Sequence, residues 1–168
     1  MLEPMPQEVL KGKIMATKSL VKKQVKAVRQ VETEIMALAE NGTEELDPGQ
    51  LHTVAKSLRD FHICIENALG FIAHNFDQGI PSGEKVHELL MEQMAAGGSR
   101  RPPVLDKVLK EELKKYLDFR VDFEKDSSVA EDKSRIKSLV DDLRAVSAAA
   151  RQQLTDFFEE LKKYHGVG

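Results

Sequence analysis

One arginine stands where an apolar residue is expected. Leu109, Leu113, Tyr116, Arg120 and Phe123 are spaced by four, three, four and three, the stepping of one face of an α-helix. A guanidinium keeps its proton and offers only donors, so it needs a carboxylate, a carbonyl or a phosphate if its head leaves water. Two readings of Arg120 stand side by side. Either it lies at the edge of the stripe with its stem packed and its head in solvent, or it faces a groove or subunit interface that accepts an anion. Glu66 lies close to a second apolar line, through Leu58, Phe61, Ile65 and Leu69, where it would be an inward counter-ion for Arg120. His62 is one helical turn earlier, a spacing that permits a histidine–carboxylate contact. The plainer alternative is a pair of solvated residues flanking the stripe.

A second signal is the placement of positive charge. Lys11, Lys13, Lys18, Lys22, Lys23, Lys26 and Arg29 occur with no acidic residue between Glu8 and Glu32. At 100° per residue, Lys11, Lys18, Lys22 and Arg29 fall within about 40° of one another and form a ladder roughly 27 Å long. Such a ladder can track a phosphate backbone, or it is an ordinary solvated face. No aromatic residues accompany it, which speaks against base stacking with a single strand. The histidines His52, His62, His74, His87 and His165 show no carboxylate-backed metal spacing, and there is no glycine-rich phosphate loop or nucleophile elbow. No metal or cofactor is expected, and these residues name no enzyme class.

The elements that carry these side chains are helical almost throughout, and strand-like alternation is missing. The first helix is marked by Leu10, Ile14, Thr17, Val21, Val25, Val28, Ile35 and Leu38, with Asn41-Gly42 suited to its C-terminal end. The second has an N-terminal signal, with Asp47 as cap, Pro48 at the first helical position and Gln50 completing a capping box. Its stripe runs through Leu51, Val54, Leu58, Phe61, Ile65, Leu69, Ile72 and Phe76. Ser82 is a candidate cap for a short third helix with Val86, Leu89, Leu90 and Met94, and residues 97–103 are the most loop-like stretch. A fourth helix is expected over about 106–125 and a fifth over about 134–164, separated by a polar segment. Long amphipathic helices with short loops predict an all-α, up-and-down bundle of four long helices plus a short one.

Length and composition agree with this and exclude other classes. At 168 residues, 41% hydrophobic and 32% charged, the chain fits one domain over 1–168 with a core of its own, the alternative being a break into two at Gly97. A single cysteine, Cys64, excludes an internal disulfide and a cysteine-rich zinc site. The start, Met1-Leu2-Glu3-Pro4, is acidic and lacks the apolar run of a secretory signal. With no apolar run of membrane-spanning length, a cytoplasmic protein without membrane association is expected. The net charge of −3 selects no partner.

Taken in order, several segments resemble one family. Residues Glu66-Asn67-Ala68-Leu69-Gly70-Phe71-Ile72-Ala73 are similar to the glutamate-bearing second helix of HepT-like proteins, a branch of the HEPN superfamily of ribonuclease toxins. Pro81-Ser82-Gly83 followed by His87 and Leu89-Leu90 resembles that branch's Pro-x-Gly segment with its Trp-His pair, although Val86 replaces the tryptophan. Arg101-Pro102-Pro103-Val104 resembles the Arg-Pro-x-Val entry to the next helix, and Tyr116-Leu117-Asp118-Phe119-Arg120 the Tyr-x-x-Phe-Arg segment. The match covers about residues 51–143.

The resemblance implies a helical bundle, usually a homodimer, whose groove joins two copies of a motif of arginine, four residues, histidine, one residue and tyrosine. In that chemistry the arginine steadies the scissile phosphate and the histidine moves a proton at the ribose hydroxyl, without metal. By position Arg120 is present, whereas the histidine falls on Asp126, the tyrosine on Ser128, and the histidine that often follows the arginine is Val121. An aspartate is an anion near neutrality and repels a phosphodiester. Ordinary cleavage of RNA is therefore expected to be lost or very weak. Ser128 also lacks the phenol that resembles the target of a partner nucleotidyltransferase.

Three functional expectations follow. The first is a degenerate HepT-like bundle that dimerises and binds RNA or a partner such as a minimal nucleotidyltransferase antitoxin. The second is an active ribonuclease with a substitute proton carrier, His87 by resemblance or His62 by helix geometry. The third is a non-enzymatic bundle that only assembles with other helices.

Overall fold

The computed structural model describes residues 5–168; Met1–Pro4, and with them the expectation about a secretory signal, lie outside the described residues. The helices are α1 (Gln7–Leu38), α2 (Pro48–Phe76), α3 (Val86–Ala95), α4 (Lys107–Lys125) and α5 (Lys133–Tyr164), and no strand occurs among the described residues. This is the expected all-α bundle of four long helices and one short one. None of these helices is long and apolar enough to cross a membrane.

Each long helix buries the stripe that its sequence periodicity marks. On α1 the buried positions are Ile14, Thr17, Val21, Val28 and Ile35, whereas Leu10, Val25 and Leu38 of the expected stripe are only partly buried against the core. Thr17 satisfies its hydroxyl by donating to the Lys13 carbonyl at 2.8 Å. Every expected stripe residue of α2 is buried, and on α5 so are Ile136, Leu139, Leu143, Val146, Ala150, Leu154, Phe157 and Leu161. Helix α2 is the hub: α1 packs on α2 and α5, whereas α4 packs on α2, α3 and α5. The start of α2 is closed as expected, since Asp47 Oδ1 accepts from the Gln50 amide at 2.8 Å and Gln50 Oε1 accepts from the Asp47 amide at 3.0 Å.

Tyr116 ties α4 to α5. Its buried hydroxyl donates to the Leu139 carbonyl at 2.6 Å, and its ring lies 5.1 Å from that of Phe61. Burial, and then the charges of Asp142 and Glu112, push the phenol above its ordinary pKa, so it stays a donor.

The structure departs from the sequence reading at the ends of elements. Helix α1 stops at Leu38, and Gly42, with φ of 94°, instead sets up a short 3-10 turn over Thr43–Glu45. Ser82 does not cap α3: the helix starts at Val86, behind Lys85 and without a side-chain cap, because Gly83 at φ of 102° turns the chain first. Leu89 is exposed, and Met91 takes its place in the core beside Leu90 and Met94. The polar segment between α4 and α5 forms a 3-10 turn, Ser127–Glu131, that buries Ala130.

The largest departure is the stretch that looked most loop-like. Arg101, in its middle, is only 2% exposed. Its Nε and Nη2 donate to the two carboxylate oxygens of Asp77 at 2.7 and 2.8 Å. Nη1 donates to the carbonyls of Ala96 and Pro102, and Nη2 also to that of Gln93. All five guanidinium donors are thus used inside the protein. The result locks the end of α2 to the end of α3 and fixes the entry to α4.

Candidate functional site

Helices α2, α3 and α4 bring four of the singled-out side chains to one place. Arg120 points inward from the apolar face of α4, and its side chain is 11% exposed. Its Nη1 donates to Glu66 Oε2 on α2 at 3.1 Å, and its Nε donates to Glu124 Oε1, one turn further along α4, at 3.1 Å. His87, in the first turn of α3, meets the same Glu66 oxygen through Nδ1 at 2.6 Å. A carboxylate only accepts, so Nδ1 of His87 carries the proton in this contact. Glu66 is therefore the counter-ion of Arg120, and it also ties down His87.

His62 completes the cluster differently from the sequence reading. Its partner is Arg120 rather than Glu66: Nδ1 lies 3.2 Å from Arg120 Nη1. An arginine only donates, so His62 Nδ1 accepts and the ring is neutral with its proton on Nε2. Burial, then the charges of Arg120 and His87, lower its pKa to about 3. That corrects the expectation for His62, since an imidazole that resists protonation to this degree is no proton carrier near neutrality. Nη2 of Arg120 has no hydrogen-bond partner among the described residues and is not sealed from solvent.

A model of the HepT-like protein family matches residues 53–161, from the first turns of α2 almost to the end of α5. The chain belongs to the HepT-like family. The match spans the Arg120 cluster and leaves α1 outside it. No curated protein and no solved structure matches the chain.

In this HepT-like chain the positions after Arg120 are built for structure. Asp126 is exposed at the end of α4, and its carboxylate accepts from the Ser128 amide at 3.0 Å, opening the 3-10 turn. The bonds from the Ser128 side chain and amide hold the Asp126 carboxyl below its ordinary pKa. It is an anionic turn cap. The family spacing of four residues between arginine and histidine, counted strictly, reaches Lys125 and Ser127, one place ahead of Asp126 and Ser128. Neither register supplies an imidazole or a phenol. Lys125 is the exposed last residue of α4, and Ser127 is exposed as well.

Two surface grooves flank His87. One, of about 450 Å³, is lined by Glu84, Glu88, Asp118 and Asp122 against Lys85 and Arg135. Arg135 is already paired with Asp122 at 2.9 Å, so this wall remains acidic. The other, of about 490 Å³, is mainly apolar, with Phe71, Ile80, Val86 and Leu90 beside Glu66 and His74. Arg120 lines neither groove; its head sits behind Glu66 and His87.

The remaining candidates lie elsewhere. Lys11, Lys18, Lys22, Lys26 and Arg29 are on α1, which packs on α2 and α5 and belongs to a different part of the bundle. Lys18 is 4.0 Å from Glu159 on α5, and Lys13 lies over the Phe76 ring. Cys64 is half-buried, and burial, then Asp60, raise its thiol pKa, so it is a poor nucleophile. Glu124 was not singled out by the sequence, although its i+4 spacing from Arg120 is a local signal that points to it. Arg101 carried no such signal, because its carboxylate partner is 24 residues away.

Proposed function

We propose that this HepT-like chain is a toxin-family bundle whose ability to cleave RNA is lost or very weak. It acts as a dimeric binding protein in a toxin–antitoxin-like system, holding RNA without cutting it efficiently or engaging a minimal nucleotidyltransferase. The observation that carries this reading is the state of Arg120. Its guanidinium is already engaged by Glu66, Glu124 and neutral His62. An arginine that steadies a developing phosphate charge must turn its donors toward the substrate. Here a phosphodiester would compete with two carboxylates for the cation, beside the acidic wall of Glu84, Glu88, Asp118 and Asp122. In neither register does the motif supply an imidazole to shuttle the proton: Lys125 is a cation and Asp126 a turn-capping anion.

The test is incubation of the purified protein with structured RNA and tRNA in the presence of a chelator. No cleavage above background is expected, and rapid cleavage abolished by Arg120→Ala would overturn the reading. The paired substitutions Asp126→His with Ser128→Tyr, and in the strict register Lys125→His with Ser127→Tyr, are expected to raise activity in one register.

One observation favours a second reading, an active metal-independent ribonuclease. His87 and Arg120 share one carboxylate oxygen of Glu66, an arrangement that orients an imidazole as a carboxylate does in a histidine dyad. On that reading His87→Ala abolishes cleavage and Glu66→Gln weakens it. Cleavage unchanged by His87→Ala removes it.

A further inference from the structure

The basic residues of α1 find company that the sequence does not display. Between residues 9 and 31 there are seven basic and no acidic residues, which leaves the rest of the chain with a formal charge of −10. Helix α1 buries one face on α2 and α5, and the ladder Lys11, Lys18, Lys22 and Arg29 runs along the flank that meets α5, as the contacts Lys18–Glu159 and Arg151–Glu32 show. On α5, Arg144, Arg151 and Lys162 lie within about 20° of one another at 100° per residue, so they share the flank that meets α1. The seam between the two helices is thus basic on both sides.

Its carboxylates are already paired, among them Asp141, which meets Lys137 at 2.7 Å and lies at the same angle on α5 as Glu159. Glu159 serves both Lys18 and Lys162, and Glu32 is tucked in with an oxygen that is buried and lacks a hydrogen bond. Lys22 and Arg29 are exposed and have no carboxylate within ion-pair distance among the described residues.

We infer that this seam binds the phosphate backbone of double-helical nucleic acid. The inference extends the RNA-binding reading above, rests on it, and gives the binding a place remote from Arg120. Three features select a duplex. The ladder is straight and roughly 27 Å long at 1.5 Å per residue, which suits a regular line of phosphates. Neither flank offers an aromatic ring, so unstacked bases have no platform. The apolar stripe of α1 is sealed in the core, where Ile14, Val21, Val28 and Ile35 are at most 1% exposed. The apolar residues it leaves exposed, Val9, Met15 and Leu20, are separated along the helix and give a bilayer surface no continuous face. The contacts are to phosphate alone, so binding is independent of sequence and sensitive to salt. The acidic wall beside His87 repels the same backbone and confines it to the α1–α5 side.

The experiment measures binding of the full chain to a blunt RNA duplex, a DNA duplex of the same sequence and a single strand, between 50 and 200 mM salt. Four phosphate contacts predict a fall in duplex affinity of roughly a hundredfold over that range. The variant Lys11→Gln, Lys18→Gln, Lys22→Gln, Arg29→Gln is expected to lose most of this affinity and most of the salt slope. Lys22→Gln with Arg29→Gln, both at exposed positions, is expected to lose about half the slope should the fourfold variant unfold. A control replacing Lys107, Lys114 and Lys115 on α4 by Gln is expected to bind as the parent does. An equal response of the RNA and DNA duplexes assigns the site to backbone geometry in general, and a preference for RNA assigns it to the A-form helix. Binding lost in the α4 control, binding indifferent to the α1 variants, a preference for single strands, or no binding at 50 mM salt overturns the inference. Cleavage of the bound duplex would instead overturn the catalytic part of the proposed function and leave this site standing.

Discussion

Two buried cations in this molecule have opposite meanings. Arg101 has all five donors satisfied by protein atoms and is a structural pin. Arg120 leaves Nη2 without a protein partner among the described residues, and its carboxylates come from α2 and from its own helix. Removing one partner of a buried pair leaves an uncompensated charge, so Arg101→Ala should cost about 3–5 kcal/mol in urea unfolding. Arg101→Lys should be little better, because an ammonium cannot bridge both oxygens of Asp77. His62 makes a prediction about pH. Its folded pKa of about 3 lies below the ordinary value of 6.5, so below pH 6.5 the unfolded chain takes up the proton that the folded chain refuses. Its contribution is fully present above pH 6.5 and is lost as pH falls toward 3, with a slope of at most about 1.4 kcal/mol per pH unit. His62→Asn, which keeps an acceptor for Arg120 but cannot ionise, should flatten the acid side of the stability curve. Curves of equal steepness for parent and variant between pH 7 and pH 4 would contradict this.

At the scale of elements, what lies within one helical turn was legible and what lies across the bundle was not. The capping box of α2 joins Asp47 to Gln50, three residues apart, and both of its bonds are present. Asp47→Ala should therefore lower stability by about 1 kcal/mol, read as a shift in the urea midpoint without a change in slope. The Ser82 cap failed because a chain-reversing glycine at Gly83 decides where α3 can begin. Exposed Leu89 and buried Met91 show the weakness of periodicity in a helix of ten residues, where a small rotation reassigns a side chain. The turn between α4 and α5 is ordered by the bond from the Asp126 carboxylate to the Ser128 amide. Asp126 and Ser128 serve here to join two helices.

For the whole molecule, one continuous core runs through all five helices, from Ile14 on α1 to Leu161 on α5. Helix α1 precedes the stretch that matches the HepT-like family, yet its apolar stripe is fused into that core. A break into two domains at Gly97 is the alternative, and Arg101 argues against it by binding Asp77 and Gln93 back across that point. Urea unfolding should accordingly be a single transition, coincident by helix content and by tyrosine fluorescence. Two separated transitions would show that α1 or the α4–α5 pair folds apart.

The amino-acid sequence by itself determined the class of fold, the buried faces of its long helices and the presence of a cation on an apolar stripe. These follow from hydrophobic spacing and local capping, which act over a few residues. The resemblance to HepT-like proteins also lay in the order of short segments, and so did the absence of the usual histidine after Arg120. Tertiary structure alone decided who meets whom: Glu66 and Arg120 are 54 residues apart, and Asp77 and Arg101 are 24 apart. It also decided that His62 stays neutral and that Arg151 of α5 reaches Glu32 of α1. The reason is that a charge takes its state from the groups packed around it, and those come from distant parts of the chain.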